Sequence, residues 1–170
     1  IPQVGTAALG AVGLCFPLIV IITAFANLFG SGGAPLFSIY RGRKQTQAAL
    51  SIMDTSFSML CAGGAVLMVL GFAFVRPLLV LFGASADAMR YALPLYLIGT
   101  LPSMVAVGMN PFINAQGYSA IGMFSVTIGA VANLILDPLF IFALGFGVQG
   151  AAIATVLSQC LSAGFVLFFL

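Results

Sequence analysis

Long uncharged stretches predict an all-α polytopic membrane protein. Residues 1–40, 55–75, 91–136 and 138–170 contain no charged side chain, and a helical span of a bilayer core takes about 20 apolar residues. The chain is 62% hydrophobic and 5% charged, against about 25% charged in soluble domains. These runs are continuous, not alternating, which argues against the short period-two strands of a membrane β-barrel.

We expect one transmembrane domain over residues 1–170, with about five helices near 7–40, 48–75, 88–114, 120–144 and 151–170. The first exceeds the length that a core of roughly 30 Å requires, so it must tilt, bend or protrude. Asn27 is a polar residue well inside it, followed by Gly30-Ser31-Gly32-Gly33. A phosphate-cradling loop would need a Gly-Lys-Ser/Thr continuation in a strand–turn–helix setting, which is missing. Small residues for close helix packing are the better reading.

Arg41, Arg43 and Lys44 form a basic turn. The positive-inside rule places it on the cytoplasmic side. It is too small to be a nucleic-acid surface. Asp54, in the second span, reads as an acid near the interface or facing neighbouring helices, in preference to a coupling role. Arg76-Pro77 ends that span, and the connection through Asp87 falls outside. Pro94, Pro102 and Pro111 predict a bent third helix whose freed carbonyls are satisfied by its neighbours. Asn114 to Tyr118 makes a cytoplasmic turn, and Gly145 to Gly150 an outer one. In the last span Gly150, Ala154, Ser158 and Ser162 recur every four residues, a stripe along which another helix can approach closely.

Alternation adds a further expectation. With Arg41–Lys44 inside, the first helix enters from outside, so a cytoplasmic N-terminus would require one more span before Ile1. Five helices also make an incomplete bundle, as expected of a fragment or a processed product.

Several chemistries are excluded. The chain has no His, and Cys15, Cys61 and Cys160 form no paired motif. Zinc sites and His-based catalysis are ruled out. No nucleophile–base pair appears, so we expect neither an enzyme nor a cofactor.

One stretch stands apart: Asn133-Leu134-Ile135-Leu136-Asp137-Pro138. Asp137 is the only acid after Arg90, and a charged, unpartnered carboxylate in lipid costs roughly 2.5 kcal/mol or more. Asn133 lies four residues earlier, on the same helical face. Pro138 has no N–H and crowds the carbonyl of Leu134, so the helix should bend there. Across the outer turn, Thr155 falls at a depth similar to Asp137. It either faces Asp137 or bonds its own helix backbone; spacing does not decide. A carboxylic acid away from water favours its neutral form, and a bound cation favours the charged one. The neutral oxygens of Asn133 and Thr155 suit a hard cation or a protonated acid. Substrate would meet a wall of Phe, Met, Leu and small residues; the 16 Phe and seven Met suit adaptable contact with flat hydrophobic cations, while many of them simply face lipid or core.

Several stretches resemble the multidrug and toxic-compound extrusion (MATE) transporters. They are Ala11-Val12-Gly13-Leu14, Phe29 to Ala34, Leu81-Phe82-Gly83-Ala84-Ser85 and, most specifically, Ile128 to Gln159. The resemblance covers essentially the whole chain and implies helices two to six of a twelve-helix transporter, the greater part of its N-terminal six-helix lobe. It implies export of cationic amphipathic compounds in exchange for H⁺ or Na⁺. It also implies a cation site on Asn133, Asp137 and Thr155, completed by an acid on a first helix that this chain lacks. The substrate contacts stay unassigned. The expected partners are the lipid bilayer, the small cationic substrates and the remainder of the transporter, with no nucleic acid. The expected place is a plasma membrane, that of a bacterial inner membrane, and the fragment alone should not transport. The alternative is a lipid-linked oligosaccharide flippase or another solute carrier of related architecture. A pyrophosphate-bearing substrate calls for basic residues in the cavity, and the long runs contain none.

Overall fold

The structure, a computed structural model, describes residues 2–75 and 98–170. Among the described residues the chain is helical and contains no strand. Helix α1 is Pro2–Gly42. Helix α2 is Thr46–Leu70, extended by a π-helical turn at Gly71–Val75. Helix α3 is Thr100–Ala115. Helix α4 is Ser119–Pro138, extended by a second π-helical turn at Leu139–Ala143, and α5 is Val148–Phe169.

Among the described residues four stretches are long and apolar enough to cross a membrane: Ile19–Gly42, Thr46–Ala73, Ser119–Ala143 and Gln149–Phe169. The third expected span begins at residue 88, outside the described residues, as do Pro94, Asp87 and the outer connection. Its described part, α3, has 16 residues. Pro102 falls in the first turn of α3, where a missing N–H breaks no intrahelical bond. Of the two described prolines expected to bend this helix, only Pro111 is internal.

Helix α3 is the hub. It packs against each of the other four helices, and Met104, Val105, Ala106, Gly108, Met109, Phe112 and Ile113 are buried along it. Glycine makes this possible where α1 crosses. A methyl group on Gly30 would strike the Gly108 carbonyl, and one on Gly108 would press into Leu60 and lie 3.1 Å from the Ala26 carbonyl oxygen. Gly33 abuts Ser56 and Phe112, whereas Gly32 meets nothing within 4 Å. Phe37 and Phe112 then meet edge to face at 5.6 Å. The glycine-rich stretch of α1 is a packing device at Gly30 and Gly33.

The distribution of apolar groups suits lipid. Phe168, Phe142 and Leu134 are 90%, 80% and 73% exposed, while Ser125 is fully buried. An apolar surface this extensive marks a membrane-facing protein. Asp54 is exposed on α2, off the face that buries Ala49, Ser56, Leu60 and Gly64.

The turns sort to the two ends of the bundle. The Ser38 hydroxyl donates to the Ala115 carbonyl at 3.4 Å, and Tyr118 meets Phe169 edge to face at 5.4 Å. These contacts bring the basic turn, the turn at Gln116–Tyr118 and the end of α5 together. The two turns read as lying on one side of the membrane therefore share one end. Lys44 and Gly117 take positive φ there, 61° and 91°. Gly145 and Gly147, at φ 70° and 55°, reverse the chain between α4 and α5 at the other end.

Candidate functional site

Helix α4 has an inner stripe. Gly122, Ser125, Gly129, Asn133 and Asp137 follow one another at three- or four-residue spacing, on one helical face, and all are buried or half-buried. Leu134 and Ile135 project from the other side, 73% and 60% exposed. The Asn133 amide donates to Oδ1 of Asp137 at 3.4 Å. This is long for a hydrogen bond, so the amide orients the carboxylate without saturating it. A carboxylate has about four acceptor positions, and the pair retains oxygen capacity for a proton or a hard cation.

Pro138 disturbs the ladder immediately after this pair. It offers no N–H to the Leu134 carbonyl. The Leu139 N–H bonds the Leu136 carbonyl, three residues back, and the Leu144 N–H bonds the Leu139 carbonyl, five back, at 3.0 Å. Where a bend is expected, the helix passes into a widened π-helical turn, a feature often found at functional sites.

Thr155 of α5 donates its hydroxyl to the Ala151 carbonyl at 2.9 Å. Of the two readings open from sequence, its proton follows the local one. Thr155 also lines a cavity of about 480 Å³, together with Asn133. Asn27, Asn110, Ser158, Gln159 and Ser162 supply the other polar groups of that lining. The structure thus joins Asn133 to Asp137 by a hydrogen bond and to Thr155 across a cavity wall. Asp137 itself lies one helical turn beyond the lining.

The small residues expected in the wall are present: between its amides and hydroxyls stand Ala, Val, Gly and Pro, and among the described residues no Phe, Met or Leu lines it. The described bulky residues are elsewhere: Met104, Met109 and Phe112 fill the core, while Phe124, Phe142 and Phe168 face outward.

Sequence reasoning also missed Asn110. Its amide donates to the Gly122 carbonyl at 2.8 Å and to the Ser125 hydroxyl at 2.6 Å. Ser125 donates to Gly122 at 2.7 Å, and Ser162 to the Ser125 carbonyl at 2.9 Å. A methyl group on Gly122 would run into the side-chain oxygens of Asn114 and Asn110, so glycine makes room for the network. The result is a polar tie of α3, α4 and α5 beside the cavity. An amide just before a mid-helix proline, in a run without charges, was the available signal.

Apolar helices of membrane-crossing length around a half-buried carboxylate–amide pair and a polar cavity define a multi-pass membrane protein. The chain belongs to the MatE family, whose profile matches residues 1–139. It is 32% identical over 166 residues to the FAD transporter of Shewanella oneidensis, an alignment covering 93% of this chain and 36% of that protein. To the multidrug export protein MepA of Staphylococcus haemolyticus it is 26% identical over 164 residues, covering 95% of this chain and 36% of MepA. The crystal structure of MATE in complex with MaL6 superposes with a TM-score of 0.90 at 27% identity, covering 100% of this chain and 38% of that one. The chain therefore spans 36% of the length of these curated relatives.

Proposed function

We propose that this chain forms most of one lobe of a secondary antiporter that exports cationic amphipathic compounds in exchange for H⁺ or Na⁺, and that Asn133, Asp137 and Thr155 handle the coupling ion. The observation that carries the reading is Asp137, held by Asn133 on the inner stripe of a lipid-crossing helix. An ionisable group so placed in a membrane helix is a functional-site hypothesis by default, because a lipid-facing charge is costly. Coupling follows if the cation binds one conformation better than the other. No cofactor and no enzymatic step enter the scheme. The reading places the protein in a bacterial plasma membrane with Arg41–Lys44 inside.

A second reading concerns the cargo. The lining is amide- and hydroxyl-rich without aromatic rings, and one relative is named for FAD. Such a wall also suits a large polar solute with many hydrogen-bonding groups. The test is a full-length transporter carrying this sequence, reconstituted in vesicles with an imposed H⁺ or Na⁺ gradient. Gradient-driven movement of an organic dye cation supports the first cargo; movement of FAD alone supports the second. Movement of neither under either gradient removes the proposal.

A further inference from the structure

We infer that Gly150 is a positioning residue for the coupling site, an inference that rests on the antiport reading above. Gly150 opens α5 directly over the backbone of the π-helical turn that follows Pro138. A methyl group added there would lie 2.7 Å from both the carbonyl carbon and the oxygen of Phe140, and 3.0 Å from the Ile141 nitrogen. These are backbone atoms, and they cannot swing aside as a side chain could. The Phe140 carbonyl also accepts the Phe146 N–H at 3.1 Å, and the Phe146 carbonyl accepts the Gly150 N–H at 3.4 Å. The Phe140 and Phe146 rings stack at 6.4 Å over the same turn.

This pin stands midway between the two halves of the site. Phe140 is three residues beyond Asp137, less than one helical turn. On the other side, Ala151 follows Gly150 immediately, and its carbonyl holds the Thr155 hydroxyl at 2.9 Å. This backbone contact is the close approach of α5 to α4 that lies nearest both Asp137 and Thr155 in sequence. The ladder widens directly after Pro138, which has no N–H for the Leu134 carbonyl; without glycine at 150, α5 could not seat on this turn as closely. A wedge at this point separates α4 from α5 at the depth of the site, while the ties at Ser125 and Ser162 hold the other end.

The experiment uses a full-length transporter carrying Gly150→Ala. Two readouts are taken: thermal unfolding without added cation, and the NaCl concentration or pH giving half-maximal efflux and half-maximal thermal stabilisation. We expect a folded protein whose half-maximal cation requirement rises by roughly 10-fold, as outer-shell changes typically do to a bound metal, with a smaller change in maximal rate. Gly164→Ala, where a methyl group meets nothing within 4 Å, should behave as the parent. Should Gly150→Ala not fold, Phe146→Ala decides the matter, because it loosens the same turn from an exposed position and should shift the cation requirement in the same direction by less. A folded Gly150→Ala with the parent's cation requirement overturns the inference alone, as does an unshifted Phe146→Ala when it is the deciding variant. A parent protein with no cation response overturns the antiport reading and this inference together.

Discussion

Asp137 and Asn133 differ in what substitution removes. Asp137→Asn keeps size and hydrogen-bonding capacity but fixes the group as neutral, so it can no longer alternate between charged and uncharged forms. We expect gradient-driven efflux of a fluorescent organic cation to be abolished at matched protein level. Asn133→Ala and Thr155→Ala each remove one neutral oxygen, and we expect a weakening of roughly 10-fold. Wild-type rates for Asp137→Asn under both H⁺ and Na⁺ gradients would show that this carboxylate does not couple. Asn110 belongs to a different class. Asn110→Ala removes two amide bonds to α4 and leaves Ser125 with its own bond to Gly122. Interhelical polar bonds in membranes contribute about 1 kcal/mol, so we expect a modest loss of thermal stability in detergent, and a smaller one for Asn114→Ala, which removes only a long bond of 3.4 Å to the Asn110 side-chain oxygen within α3. Asp137 was legible in the sequence because a lone acid in a long apolar run has few alternatives. The Thr155 hydroxyl was not. A threonine can always bond its own helix, and spacing does not tell that it does so while the residue still lines the cavity.

At the scale of elements, glycine placement decides how closely helices cross. Gly30 and Gly32 are two residues apart in α1 and have opposite surroundings: the first lies on the Gly108 carbonyl, the second meets nothing within 4 Å. Overpacking a tight contact costs about 1–3 kcal/mol. Gly30→Ala should therefore lower the unfolding temperature clearly, and Gly32→Ala should leave it unchanged or raise it slightly, since alanine favours helix. Equal behaviour of the two variants would remove the α1–α3 crossing described above. The same comparison shows what sequence could supply. The pattern Gly30-Ser31-Gly32-Gly33 announces close packing but not which glycine faces the neighbour, because that depends on the rotation of α1 about its axis. Likewise, the stripe from Gly150 to Ser162 foretells a close partner. That Gly150 seats on a π-helical turn depends on how the backbone relaxes after Pro138, which spacing alone does not fix. The directions of the Phe and Met side chains stayed open for a related reason. In lipid, Phe and Met gain as much by facing outward as inward, so their abundance says nothing of where they point.

For the whole molecule the open variable is orientation. The fold groups the basic turn with the turn at Gln116–Tyr118 and the end of α5, and sets the turn at Gly145–Gly147 at the opposite end. Arg41, Arg43 and Lys44 are all exposed at the first end, with the Arg41 guanidinium 5.9 Å from the Phe37 ring, and loops rich in such residues stay on the cytoplasmic side. Arg76 and Arg90 flank the expected outer connection and work against that bias, so orientation needs a direct measurement. In a full-length protein with Cys15, Cys61 and Cys160 replaced, single cysteines at Gln45 and at Phe146 report the two ends. Both positions are exposed, so accessibility is set by the membrane side and not by packing. An impermeant thiol reagent applied to intact cells should label Phe146→Cys and spare Gln45→Cys until the membrane is opened. The reverse pattern would turn the bundle over. The cavity and its carboxylate would then keep their geometry, but proton or sodium entry would have to be assigned to the opposite face.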